Sequence, residues 1–274
     1  MKIAQQSIKA EKFKELHSKQ FVLPNAWDAM SAKIFQSCGF QAIGTTSAGI
    51  AFSHGYKDRE MPFETAIAAI RQIAQSVEVP VSADIEDGYG RSVEEVVESV
   101  KKVILAGAVG INLEDSTTSP DNPLYDISQQ QEKIKAIKAL ADTVGIPLFI
   151  NARTDVYWLN IGEPATQLEE TIRRAQAYQD AGADCVFIPG ISNLNTIQSI
   201  REAISCPINL LAGSGMPSLS VLSTIGIERI SCGSGPYRAM ASLLKKMGDE
   251  IMNEGTFHHM TSDVISYQDV MNYC

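Results

Sequence analysis

Eight times along this chain, a short and strongly apolar run is followed by a segment whose apolar residues recur at helical spacing. No other feature constrains the fold as much. The runs fall at residues 21–23, 42–45, 79–84, 110–113, 147–150, 185–188, 208–211 and 229–232. Strands this apolar are buried on both faces, as in a parallel sheet covered by helices. Helices are predicted over 29–38, 62–75, 92–105, 128–141, 167–181, 194–203, 217–225 and 236–253. The third of these shows the pattern well, with Val96, Val97, Val100, Val103 and Ile104 on one face. Eight strand–helix units in roughly 250 residues is the count of a (β/α)8 TIM barrel. A doubly wound open sheet is the competing arrangement, but no G-x-G-x-x-G follows the first strand. We therefore expect an α/β chain folded as one (β/α)8 barrel domain over residues 1–274. A helix within 1–20, carrying Ile3, Ile8, Ala10, Phe13 and Leu16, would precede it, and a helical tail at 255–274 would follow.

Composition narrows the class of function. With 45% apolar and 20% charged residues the chain has ample material for a core. A net charge of −9 argues against nucleic-acid or anionic-membrane partners. The first 20 residues are charged throughout, unlike a signal peptide or membrane anchor. Cys38, Cys185, Cys206, Cys232 and Cys274 are odd in number and form no C-x-x-C pair. Reduced thiols and a cytoplasmic setting are expected, with the first four buried in or beside apolar elements.

In a barrel of this kind the active site lies at the carboxyl ends of the strands. Those ends carry Asn25 and Trp27, Thr46 and Ser47, Asp84 and Glu86, Glu114 and Asp115, Asn151 and Arg153, Asn209, and Gly233. The strand interiors read as almost wholly apolar. The densest stretch is Asp84-Ile85-Glu86-Asp87-Gly88-Tyr89-Gly90, where three carboxylates fall within four residues. Such crowding is costly unless a cation or a proton offsets it. Asp84 and Glu86, two apart, point to one side of an extended strand end and suit a hard cation such as Mg²⁺. Glu114 ends the neighbouring strand and can face the same ion, and Asp58 can reach it directly or through water. Arg153 could grip a carboxylate in bidentate fashion, or serve as an ion-pair partner for Asp155 or Glu114. Thr46, Ser47 and nearby backbone amides could hold a second anionic group, with Trp27 contributing shape.

Six stretches now carry a resemblance. They are Pro24-Asn25-Ala26-Trp27-Asp28, Thr45-Thr46-Ser47-Ala48-Gly49, Gly55-Tyr56-Lys57-Asp58, Asp84 to Gly90, Leu113-Glu114-Asp115 and Asn151-Ala152-Arg153-Thr154-Asp155. In order and position the chain resembles the isocitrate lyase/phosphoenolpyruvate mutase superfamily. The resemblance implies Mg²⁺, or Mn²⁺ in its place, and cleavage or formation of C–C or P–C bonds through an enolate of pyruvate. It implies Asp84 as the direct metal ligand, with Asp58, Glu86 and Glu114 acting mainly through waters. Arg153 matches the substrate-carboxylate arginine and acts with Asp58 and Glu114 in catalysis. Trp27, Thr46, Ser47, Ala48 and Asn209 would line the oxo-acid subsite. A homo-oligomer, dimer or tetramer, is also implied; the apolar face of Met240, Leu243, Leu244, Met247 and Ile251 would suit it or the barrel wall equally.

The departures from the family pattern are as informative. The C–C lyases of this superfamily carry K-[KR]-C-G-H after the fourth strand, whereas here residues 115–123 read Asp-Ser-Thr-Thr-Ser-Pro-Asp-Asn-Pro. No Cys, Lys or His stands there, and only Asn122 matches the phosphonopyruvate branch. Glu86 replaces the usual aspartate, and Phe187-Ile188-Pro189-Gly190 stands where a glutamate is usual. The pattern is similar to the phosphonomutase-like branch without the lyase cysteine. The sequence thus points to a Mg²⁺-dependent lyase or decarboxylase of a small 2-oxo or 2-hydroxy dicarboxylate. The alternatives are phosphonopyruvate P–C chemistry or a non-catalytic 2-oxo-acid binding protein, with residues 116–124 as a gate. Gly213-Ser214-Gly215 and Gly233-Ser234-Gly235 also allow a sugar-phosphate enzyme, although no lysine ends a strand to serve a Schiff-base aldolase. His54 reads as a gate or a surface residue, and His258 and His259 as tail or interface.

Overall fold

A computed structural model describes residues 3–273. In chain order its elements are α1 (Ile3–Leu16), β1 (Phe21–Leu23), β2 (Asn25–Ala26), α2 (Ala29–Ser37), β3 (Ile43–Thr45), α3 (Ser47–Ser53), α4 (Phe63–Ser76), β4 (Val81–Asp84), α5 (Val93–Ala106) and β5 (Gly110–Glu114). There follow α6 (Ile127–Val144), β6 (Phe149–Arg153), α7 (Pro164–Asp180), β7 (Cys185–Ile188), α8 (Leu194–Ala203), β8 (Ile208–Leu211), α9 (Leu219–Thr224), β9 (Arg229–Ser231), α10 (Gly235–Glu254), α11 (His258–Thr261) and α12 (Tyr267–Tyr273). All strand pairings are parallel, in the order β1-β9-β8-β7-β6-β5-β4-β3-β2. The chain is a (β/α)8-type barrel with helices around it.

The barrel closes through a strand that serves two neighbours. β1 pairs with β9 and β2 with β3, and Pro24 stands between them. Proline has no N–H for a ladder, but its carbonyl still accepts from Gly44 N at 2.8 Å. Asn25 then stitches the seam. Its Nδ2 donates to Thr45 O at 2.8 Å, and its Oδ1 accepts from Cys232 N and Gly233 N, each at 2.8 Å. A side chain at Gly44 would run into it, since a Cβ there would lie 2.7 Å from Asn25 Nδ2.

Helix signals were strong where a cap and an apolar stripe coincide. α5 starts where Ser92 Oγ accepts from Glu95 N and ends at Gly107, whose φ of 109° suits glycine. Its buried Val96, Val100, Val103 and Ile104 pack on the sheet. Several boundaries differ from expectation, and two departures bear on the site. β6 begins at Phe149 rather than 147 and runs to Arg153, because Pro147 cannot donate to the ladder. Asn151 and Arg153 therefore lie within the strand. α3, for which the sequence predicts no helix, is started by Thr46 Oγ1 accepting from Gly49 N at 3.2 Å.

The expectation of apolar strand interiors is corrected by the lumen. Outward-facing Ala83, Ile111, Leu113, Ile150, Ala152, Val186, Leu210 and Ile230 join the buried apolar layer beneath the helices. The alternate, inward set includes buried Ser82, Asn112, Asn151, Asn209, Arg229 and Ser231. A single row of paired residues runs Glu114, Arg153, Phe187, Asn209, Arg229 across β5 to β9. Strand stagger makes this row descend, from the last residue of β5 to the first of β9.

The amino end of the barrel is plugged by α1. Phe13 is fully buried and meets the Phe149 ring edge-on at 5.2 Å, while His17 stacks on Phe149 at 3.9 Å. Gln6 Nε2 satisfies the carbonyls of Ile104 and Ala108 at 2.7 and 2.9 Å. The cysteines divide unlike the uniform burial expected: Cys185 is buried, Cys206 and Cys232 are half-buried, and Cys38 is exposed where α2 ends. All four are free, and Cys274 lies outside the described residues. Among the described residues no helix is long and apolar enough to cross a membrane.

Candidate active site

A cavity of about 180 Å³ opens at the carboxyl ends of the strands. Of the residues picked out from sequence, Thr46, Ser47, Ala48, Asp58, Asp84, Glu86, Glu114 and Arg153 line it. Trp27 and Asn209 do not. Trp27 packs behind the wall, edge-on to Tyr237 with ring centroids 5.4 Å apart. The indole at the cavity is Trp158 instead. Asn209 sits on the descending row described above, fully buried in the lumen, and neither atom of its amide has a partner among the described residues.

Asp84, the last residue of β4, is held from the α3 side. Its Oδ2 accepts from Ser47 N at 3.0 Å and from Ser47 Oγ at 2.8 Å. Its own N–H donates to Thr45 Oγ1 at 2.8 Å, and both Ser47 bonds fall on Oδ2 rather than Oδ1. Thr46 and Ser47 were expected to hold an anionic group with a hydroxyl and nearby backbone amides. Here Ser47 Oγ is committed to Asp84 and Thr46 Oγ1 to the start of α3. Burial raises the Asp84 pKa, Glu114 raises it further, and Arg153 and Ser47 oppose the shift.

Glu86 comes next, at φ 52°, in a tight turn where Gly88 N donates to Ile85 O at 2.9 Å. Gly88 has φ 105°, and a Cβ there would lie 2.7 Å from Val96, so the turn requires glycine. The Glu86 carbonyl accepts from Glu114 N at 2.9 Å, which ties the turn to β5. Its carboxylate is buried and accepts from Tyr89 Oη at 2.9 Å. Burial pushes its pKa up to about 8; the Tyr89 bond opposes this, while Asp84, Glu114 and Asp58 add to it. Asp87 turns away, accepting from Tyr125 Oη at 3.0 Å. Asp58, on the loop between α3 and α4, stands at the cavity's open edge. Its pKa is also raised, by desolvation first and then by Asp84 and Glu114.

The opposite wall is cationic. Arg153 forms a two-pronged pair with Asp155, Nε to Oδ1 at 2.6 Å and Nη2 to Oδ2 at 3.1 Å. Its Nη1 reaches Glu114 Oε2 at 3.1 Å. Both ion-pair partners considered from sequence are thus in place. The pairs fix the guanidinium plane, which also lies 5.5 Å from the Phe187 ring and 5.8 Å from that of Trp158. Burial works against the Arg153 charge, but Glu114 and Asp155 outweigh it and hold its pKa above the ordinary range. Asp155 is set by Asp115, which accepts from Asp155 N at 2.9 Å. Asp115 itself points out of the cavity, toward Arg174 at 3.1 Å and Tyr178 Oη at 2.7 Å.

Glu114 joins the two walls. Its Oε1 accepts from Ser116 Oγ at 2.8 Å and pairs with Arg59 Nη1 at 3.2 Å. Arg59 was missed from sequence, as were Asp155 as a lining residue, Trp158 and Asn112. Arg59 could have been found as the cation beside Asp58, and Asp155 from its two-residue spacing to Arg153. Trp158 leaves no comparable signal. No residue of 116–124 lines the cavity. The loop is a closed hairpin, with Ser116 bridged to Leu124 and Thr117 N donating to Pro123 O at 2.8 Å. Nor does His54 reach the cavity: its Nδ1 lies 3.0 Å from Ile50 O.

The donor set suits a hard divalent cation, since every acid that would face it offers oxygen and three of them have raised proton affinity. Among the described residues no three acidic, His or Cys side chains converge tightly enough to ligate one ion directly.

Residues 13–252 match the family model of phosphoenolpyruvate phosphomutase. The chain belongs to that family. It is a member of the isocitrate lyase/phosphoenolpyruvate mutase superfamily, whose enzymes use Mg²⁺ and act on C–C or P–C bonds of pyruvate-derived substrates. An uncharacterized protein of Mycobacterium tuberculosis is 38% identical over 229 residues, 83% of each chain. The 2,3-dimethylmalate lyase of Eubacterium barkeri is 33% identical over 220 residues, 77% of this chain and 74% of that one. A crystal structure from Burkholderia cenocepacia J2315 matches with a TM-score of 0.93 at 33% identity, covering 98% of this chain and 96% of that one. Phosphonopyruvate hydrolase, crystallised with oxalate and Mg²⁺, shares the fold at 22% identity, with a TM-score of 0.85 over 97% and 94% of the two chains.

Proposed function

We propose that this member of the family is a Mg²⁺-dependent lyase or decarboxylase. Its substrate would be a small 2-oxo or 2-hydroxy dicarboxylate, cleaved at a C–C bond through an enolate of pyruvate. The observation that carries this reading is one pocket with an acidic wall of Asp84, Glu86 and Asp58 facing an Arg153 fork fixed by Asp155. Asp84 would hold Mg²⁺ directly, and Asp58, Glu86 and Glu114 through waters. When bound, the ion supplies Lewis-acid stabilisation of the negative charge on the oxo oxygen.

This chain's own side chains orient the substrate. Arg153 keeps free N–H positions beyond its bonds to Asp155 and Glu114, and these would take a substrate carboxylate in a fixed plane. Thr46, Ser47 and Ala48 form the wall beside Asp84 on which the oxo-acid end would lie. Ser47 contributes by holding Asp84 in place. Cleavage by a loop cysteine is not part of the proposal, because 116–124 contains no Cys, Lys or His and lies off the pocket. We also propose a cytoplasmic homo-oligomer, an assembly supported by exposed Met240, Leu243, Leu244 and Ile251 along α10.

The test is pyruvate release from oxaloacetate, with Mg²⁺ and with chelator, by the native protein and by Asp84→Ala. Metal-dependent release that Asp84→Ala loses by at least about 100-fold is expected. Phosphate release from phosphonopyruvate with no pyruvate from oxaloacetate would replace this reading with P–C chemistry. Binding of oxalate without turnover of either substrate would make the protein a 2-oxo-acid binder.

A further inference from the structure

Arg59 is the second guanidinium of the pocket, and the pocket-lining residues include no other cation besides Arg153. The two arginines flank one carboxylate, Glu114, with Arg59 on Oε1 at 3.2 Å and Arg153 on Oε2 at 3.1 Å. They are therefore separated by little more than a carboxylate and two hydrogen bonds. Arg59 is anchored on its far side, where Nη1 donates to Ser116 Oγ at 2.8 Å and Nη2 to Ser116 O at 3.2 Å. Its backbone sits in the left-handed region at φ 66°, an unfavourable place for a long side chain. Its Nε is buried and has no partner among the described residues. A buried guanidinium N–H without an acceptor is costly, and the second N–H of Nη2, beyond the bond to Ser116 O, is left for an anion entering from the pocket that Arg59 lines.

We infer that Arg59 is a specificity-determining residue that binds the second carboxylate of a dicarboxylate substrate, while Arg153 and the acidic wall hold the oxo-acid end. The inference rests on the oxo-acid reading proposed above. Chain length selects the substrate class. A two-carbon dianion such as oxalate fits the metal side alone. A four-carbon diacid carries its second carboxylate across the width of Glu114, toward Arg59. The loop at 116–124 brings no cation to this side, so Arg59 stands in for one.

The experiment compares Mg²⁺-dependent binding of oxalate and of malate by calorimetry, in the native protein, Arg59→Gln and Arg59→Lys. Native protein is expected to bind both. Arg59→Gln should weaken malate binding by at least about 30-fold while changing oxalate binding less than about threefold. Arg59→Lys, which keeps the charge but loses the fork, should weaken malate by about 10-fold, and it carries the test alone if the glutamine variant does not fold. Malate binding unchanged in the variants, or oxalate and malate weakened equally, would overturn the role of Arg59. Native protein that binds oxalate but not malate would overturn it as well. If native protein fails to bind oxalate with Mg²⁺, the oxo-acid reading falls first and takes this inference with it.

Discussion

At the carboxyl end of the barrel Glu114 carries a guanidinium on each oxygen, and Asp84 is held by Ser47 through one oxygen. At the amino end Arg229 lies under Phe13 of α1 and His17 directly follows that helix, and among the described residues neither has a carboxylate partner. Arg229 rests 5.8 Å from the Phe13 ring, with Nε and Nη1 unsatisfied. Burial lowers its pKa to about 10, so it stays charged at neutral pH. Burial, with Arg229 adding to it, drives the His17 pKa down to about 3, so the imidazole stays neutral. The mouth keeps several charges together by pairing opposite signs within reach of solvent. The base keeps one charge and suppresses the other. Chemistry that gains and loses ions or substrates belongs at the first end, and sealing at the second.

Breaking each end separately should show this. Arg153→Gln strikes the mouth: activity on oxaloacetate is expected to fall at least about 100-fold, since a buried charge pair is truncated where substrate binds. Unfolding in denaturant should also show a loss, since Asp155 is left buried without its partner, so activity is compared for the folded fraction. Phe13→Ala strikes the base, where the ring fills the space under Gly110 and packs on Phe149. It should cost about 3–5 kcal/mol of stability with little effect on kcat of the folded fraction. The smallest effect sharpens the contrast through pH. His17 titrates near 6.5 when unfolded and about 3 when folded, so below pH 6.5 the unfolded chain takes up a proton that the folded one refuses. Stability should therefore fall as pH drops from 6.5 toward 3, with a slope from this residue approaching about 1.4 kcal/mol per unit. His17→Phe should flatten that part of the curve in denaturant titrations at pH 6.5 and 4.5. An unchanged slope would mean that His17 is not sealed as described.

Much of this was legible in the chain because the signals are local. Alternation of apolar runs with capped amphipathic helices specified the barrel, and strand-end carboxylates at Asp84, Glu86 and Glu114 marked its mouth. What could not be read depends on stagger and on side-chain reach. Reading strand ends as level put Asn209 at the mouth, whereas the row from Glu114 descends and leaves it in the lumen. Placing Trp158 rather than Trp27 at the cavity wall needed the path of the turn after β6, which no spacing encodes. Serine and threonine hydroxyls read as substrate ligands proved to be committed to Asp84 and to a helix start. The split first strand hinged on Pro24, whose effect on pairing depends on which neighbours it meets.

The most direct measurement is the thermal unfolding temperature with oxalate and Mg²⁺, each alone and both together, for native protein and Asp84→Asn. The account requires a rise that appears only with both ligands and disappears in Asp84→Asn, because the metal and the oxo-acid end share that carboxylate. Equal stabilisation by oxalate in chelator, or a full rise in Asp84→Asn, would contradict it.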